Sequence, residues 1–197
     1  MDEMVRCFVC VEIEPGVRKT LGAWLGRLRS LAPRIRWVDD GALHITLKFC
    51  GEIEPKRLIK LQAAMEQAFA TAKIPPFDLE LSGVGAFPGW RQPRVLWVGL
   101  GQDEDQLFRL FDVVEKAGVA VGLEREKRPF HPHVTIARIK TPSELPVQLM
   151  RELNDGNAGQ GQWTVRYVTL MKSDLYPEGP VYTPLARYLL NTMEVGD

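Results

Sequence analysis

His44-Ile45-Thr46-Leu47 and His133-Val134-Thr135-Ile136 spell one pattern, His-x-Thr-aliphatic, and use two of the three histidines in the 197-residue chain. Each lies in an alternating stretch of the kind that forms a half-buried strand. In such a strand the His and the Thr two places on project from one face, and the residues between and after face the other. Two such strands offer a general acid, a general base and two hydroxyl donors, sufficient for phosphoester chemistry without a metal. A lone histidine on a strand is usually a core or surface residue. Packing does not ask for His and Thr together twice, so the functional reading leads.

Working outward, the first motif strand is expected over residues 43–50, with Lys48 on the face of His44 and Thr46. Ile45, Leu47 and Phe49 should face the core. Before it come a strand over about 5–13, a helix striped by Val17, Leu21, Trp24, Leu28 and Leu31, and a short strand at 35–38. After it come a helix over about 55–70, strands at 77–87 and 94–98, and a third helix capped by Asp103 and ended by Gly118. The second motif strand follows Phe130-His-Pro-His133. A short helix over about 143–153, started by Ser143 and weakened by Pro146, leads to a linker over 155–161 and to strands near 163–173 and 181–190.

This order predicts an α+β fold over residues 1–197. It should be one bilobal, pseudo-duplicated domain with two small, mainly antiparallel sheets and helices on their outer faces. Each lobe would contribute one motif to a central cleft.

Composition narrows the partners. Hydrophobic residues make up 45% and charged residues 25%, which argues against extensive disorder. Lys plus Arg and Asp plus Glu number 25 each, so no global basic field draws in nucleic acid. An RNA partner would be held by a local basic patch, at an end rather than along a duplex. No apolar run is long enough to span a bilayer, and the opening Met1-Asp2-Glu3-Met4 is acidic, so a cytoplasmic monomer without a membrane partner is expected. Cys7, Cys10 and Cys50 suggest no disulfide framework. Cys7 and Cys10 would point to opposite faces of one strand, and no second Cys-x-x-Cys completes a zinc site. His131 and His133 lack a carboxylate or thiol cluster, so His131 reads as structural and no metal or other cofactor is expected.

The surroundings of the motifs resemble the RNA 2′,3′-cyclic phosphodiesterase (2′-5′ RNA ligase) family of the two-histidine phosphoesterases. The likeness runs through Arg6-Cys-Phe8, Arg36-Trp37-Val38, Leu43 to Glu52, Gly83-Val-Gly-Ala-Phe-Pro88, Arg94-Val-Leu-Trp97, Arg128 to Arg138, Tyr182 and Leu185-Ala-Arg187. It implies metal-independent opening of a terminal 2′,3′-cyclic phosphate on RNA to a 2′-phosphomonoester, and slow reversible 2′-5′ joining of RNA ends. Cys50 stands where an aliphatic residue is usual, Met171-Lys172-Ser173 replaces a more aromatic strand, and Pro184 interrupts the last strand.

On this reading His44 is the proton donor to O3′ and His133 the proton acceptor that activates water. Thr46 and Thr135 donate to non-bridging oxygens. The resemblance gives Arg138 a phosphate contact, although five residues from His133 an unbroken strand aims it away, so a bulge or a strand end is required, and a solvated strand-end Arg is the other reading. Phe8, Phe49 and Trp90 are candidates to stack on a base, core packing being the better reading for Phe49. Lys48 is a candidate substrate contact, and Lys127 and Arg128 are candidates to hold RNA phosphates, although a charge run is more often a solvated loop. Two other functions stay open: a phosphodiesterase on small cyclic or 2′-5′-linked nucleotides, and a nucleotide- or RNA-binding module without turnover.

Overall fold

The computed structural model describes residues 3–101, 104–141, 145–154, 161–177 and 179–191. The expected caps Asp103 and Ser143 and most of the 155–161 linker lie outside them. The described strands are β1 (Val5–Glu12), β2 (Arg36–Trp37), β3 (His44–Ile53), β4 (Phe77–Phe87), β5 (Val95–Leu100), β6 (Val134–Arg138), β7 (Gln162–Val165), β8 (Tyr167–Tyr176) and β9 (Gly179–Leu189). The helices are α1 (Pro15–Leu31), α2 (Pro55–Ala72), α3 (Glu104–Ala120) and α4 (Val147–Asn154). No described helix is long and apolar enough to cross a membrane.

The α+β expectation holds. The strands follow one antiparallel path, β7-β4-β5-β6-β3-β1-β8-β9, with β2 added beside β6. Its two halves meet between the motif strands, where Ile45 pairs with Val134. The lobes are not successive halves of the chain. One lobe takes β1, β3, β8 and β9, and the other takes β2 with β4 to β7. The chain therefore crosses between lobes repeatedly, which hydrophobic periodicity cannot register because it reports faces and not partners.

Apolar spacing explains the helices. Val17, Leu21, Trp24, Leu25 and Leu28 form the buried stripe of α1, and Leu61, Met65 and Phe69 that of α2. α2 packs beside α3 over β3 and β9, while α1 packs beside α4. One apolar core, including Ile45, Leu47, Val134 and Ile136, lies beneath the outward helices. A smaller cluster, Phe8, Cys10 and Met171 with Tyr182 against it, lies on the opposite face of β1. Cys7 faces the first core and Cys10 the second, as strand parity requires.

One proline expectation needs correction. Pro146 precedes α4, and its carbonyl accepts from Met150, so it leads into the helix where a missing N–H costs nothing. Pro184 interrupts β9 only by a register shift beside it that drops Leu185 from the ladder, and the strand runs on to Leu189.

Candidate active site

The single β3–β6 pairing sets the site. Extending the antiparallel register from Ile45–Val134 by one residue each way places His44 across from Thr135 and Thr46 across from His133. The two histidines become diagonal neighbours, about 7–8 Å apart in an ideal ladder, with each threonine beside the opposite histidine. Ile45 and Val134 face the core, so the two imidazoles and two hydroxyls share the other face.

Each ring is held alike. His44 Nδ1 donates to Ala42 O at 2.7 Å, and His133 Nδ1 donates to His131 O at 2.6 Å. A carbonyl only accepts, so Nδ1 carries the proton and Nε2 is the free basic nitrogen. Thr46 Oγ1 lies 3.0 Å from His44 Nε2 and donates to it. Aromatic rings brace both: Phe8 and Tyr182 at 4.7 and 5.4 Å from His44, Phe87 and Trp97 at 5.0 and 6.0 Å from His133. Trp97 reaches across the sheet because Gly85 leaves room; a Cβ there would fall 2.0 Å from its ring. The His131 ring packs against Phe87 and Trp97, and its carbonyl accepts from His133.

Burial pushes the His44 imidazole down to about 4. The Ala42 carbonyl works against this, while His133 and Arg138 add to it. His133 is also lowered, first by burial and then by the charges of His131 and Arg138. Both rings are therefore neutral at pH 7.

A bulge in β6 brings Arg138 to the histidine face. Leu96 pairs with Ala137 but Trp97 pairs with Thr135, so Ile136 is the extra residue. Ile136 and Ala137 are both buried, and Arg138 emerges on the histidine face. The same irregularity recurs in β3, where Val9 pairs with Lys48 but Cys10 with Thr46. Leu47 and Lys48 are both buried there, and Phe49 takes the place that Arg138 has in β6.

That second bulge overturns two expectations. Lys48 is not on the site face: it is 6% exposed and paired with Glu115 in the interior. Phe49 is not core: it is 66% exposed and 6.4 Å from Phe8. Phe8, 3% exposed, supports His44 and offers no free face for a base. Trp90 lies 39% exposed in the β4–β5 loop, outside the aromatic contacts found around either histidine among the described residues. Lys127 and Arg128 are exposed, their backbone N–H groups donating to Glu126.

Residues without an assigned role in the sequence also gather here. Tyr182 packs edge-on against Phe8 and His44, its hydroxyl raised by burial and lowered by Arg138 and Arg6. Arg36 of β2 pairs in register with Arg138. Arg6 and Arg138 both act on the Tyr182 hydroxyl. Among the described residues no three His, Cys, Asp or Glu side chains converge as a metal site.

A family model described as the 2′-5′ RNA ligase superfamily matches residues 17–177. The chain belongs to that superfamily. Among curated members, it is 39% identical to the RNA 2′,3′-cyclic phosphodiesterase of Aeropyrum pernix over 82% of this chain and 93% of that one. It is 32% identical to the enzyme of the same name from Archaeoglobus fulgidus, over 92% and 98%. The crystal structure of E. coli LigT complexed with 3′-AMP superposes with a TM-score of 0.75 at 26% identity, covering 95% of this chain and 99% of that one. Superfamily membership agrees with the resemblance read from the motifs and their surroundings.

Proposed function

We propose that this member of the 2′-5′ RNA ligase superfamily opens the 2′,3′-cyclic phosphate at an RNA end to a 2′-phosphomonoester. What supports the reading is the Ile45–Val134 pairing of the two motif strands, whose register, continued by one residue each way, sets His44 opposite Thr135 and Thr46 opposite His133, together with the β6 bulge that turns Arg138 toward the same face. The curated relatives named above bear the name of that activity.

The reaction is an in-line displacement at phosphorus. Water bonds to phosphorus as the P–O3′ bond breaks; His133 Nε2 takes the water proton and His44 gives a proton to O3′. Negative charge grows on the non-bridging oxygens, where Thr46, Thr135 and the Arg138 fork donate. Because burial keeps both imidazoles neutral at pH 7, the acid needs its proton on binding. The phosphodiester anion offsets the Arg138 charge and favours imidazolium at His44, so one proton enters with the substrate. The near symmetry of the two half-sites lets the roles exchange, which is what 2′-5′ joining of ends by the reverse reaction requires.

The terminal ribose then lies on the His44 side. A cavity of about 190 Å³ adjoins that ring there, lined by Phe8, Glu12, Arg18, Met171, Tyr182 and Pro184 among others. Phe49 gives an exposed face for a neighbouring base. The working unit is the whole bilobal chain, read as a cytoplasmic monomer that needs no metal.

The test is an RNA oligomer ending in a 2′,3′-cyclic phosphate, incubated with the protein in excess EDTA. His44→Ala and His133→Ala run alongside, and the phosphate position of the product is read. A 2′-phosphate end made only by the wild type supports metal-free two-histidine catalysis. Turnover of a mononucleotide cyclic phosphate with none of the oligomer would move the substrate to small nucleotides.

A further inference from the structure

Beside the site lies an ion pair that the reaction leaves unused. Lys48 and Glu115 of α3 are both buried, with side-chain exposures of 4% and 5%. Lys48 Nζ also donates to Glu124 O at 2.8 Å, and Glu115 Oε2 accepts from Glu126 N at 3.1 Å. The pair thus grips two backbone groups of residues 123–133, which form neither helix nor strand and end at His133.

We propose that Lys48–Glu115 is a positioning clamp that sets the segment carrying His133 against the strand carrying His44. The proposal rests on the catalytic reading above and adds positioning residues to it. The two halves of the sheet are joined between the motif strands through Ile45–Val134. Lys48, two residues past Thr46, supplies a second tie between the half-sites. Downstream, Phe130 stacks on Phe111 of α3 at 4.5 Å, and the His131 carbonyl then orients His133. A displacement at Glu124–Glu126 is carried along this short segment to the ring.

Two features show the clamp is built in. The β3 bulge that exposes Phe49 also turns Lys48 inward. Its side chain passes α3 at Gly118, where a Cβ would fall 2.7 Å from Lys48 Cε. Stability is a poor reason for such a pair, since well-packed apolar residues of similar volume often hold a fold as well as a buried ion pair.

Three proteins test this: wild type, Lys48→Met with Glu115→Leu, and Glu115→Gln. The readouts are kcat and KM on the cyclic-phosphate end, Tm, amide exchange at Glu126, and the His133 ring resonance. The double variant should keep a Tm near wild type and an almost unchanged KM, yet lose on the order of tenfold to a hundredfold in kcat through a misplaced His133. Its Glu126 amide should exchange faster and its His133 resonance should move. Glu115→Gln retains one acceptor oxygen, for Lys48 or for Glu126 N–H but not for both, while leaving a buried charge unmatched. It should lose more Tm and less kcat. Wild-type kcat in the double variant, or kcat falling in step with Tm across the set, overturns the clamp. A wild type without turnover overturns the catalytic reading instead; an unmoved His133 resonance in the double variant then overturns the clamp separately.

Discussion

The fall of the His44 pKa from 6.5 to about 4 makes stability depend on pH in a way that can be isolated. Its cause is burial against Phe8 and Tyr182, reinforced by the charges of His133 and Arg138. The unfolded chain takes up its proton near pH 6.5, whereas the folded protein resists until about pH 4. The contribution is therefore fully present above pH 6.5 and is lost as pH falls through that window. Each pKa unit is worth about 1.4 kcal/mol, which sets a ceiling of about 3 kcal/mol. For a domain of this size that is roughly 5–10 °C in Tm, less to the extent that solvent reaches the ring. The assay is thermal unfolding of wild type and His44→Gln from pH 4 to 8, the difference removing the carboxylates common to both. The gap should narrow or reverse toward pH 4. Titration of the His44 ring near 6.5 in the free protein would refute the argument. Adding a nucleoside 2′-monophosphate should raise that titration point, since the anion offsets Arg138.

Thr46→Val and Thr135→Val should each lower kcat on the order of a hundredfold or more, measured at saturating cyclic-phosphate substrate; equal loss in KM alone would remove the role of donor to developing charge. Arg138→Lys should fail to restore what Arg138→Ala loses in phosphate affinity, because an ammonium lacks the fork, and binding of inorganic phosphate reads this directly. Phe49→Ala should weaken binding of an RNA end by about 1–3 kcal/mol with Tm nearly unchanged. Phe8→Ala should instead unfold the protein at lower denaturant, at a cost of about 3–5 kcal/mol. His44→Ala should lose less activity on a p-nitrophenyl phosphodiester than on the cyclic phosphate, because that leaving group needs no acid; equal losses would move the acid role to His133.

What could be read before any coordinates followed from strict periodicities. Alternation gave the strand over 77–87 its bounds, and 3.6-residue spacing gave α1 and α2 their buried stripes, because solvent sorts apolar side chains locally. The repeated His-x-Thr pattern fixed which four side chains share a face, since side-chain period in a strand is two. Arg138 was partly legible too: its parity was wrong for an unbroken strand, which called for a bulge or a strand end, and β6 has the bulge. Nothing comparable flagged Lys48 and Phe49. One extra residue in β3 exchanged their faces, and a bulge is decided by pairing with β1, a partner forty residues away that local pattern does not see. For the same reason the sequence could not show that β8 and β9 complete the lobe begun by β1, or that Lys48 would reach Glu115. The sequence alone determined which two histidines and two threonines share a face. Tertiary structure alone decided which strands meet, and so which residues stand beside those groups.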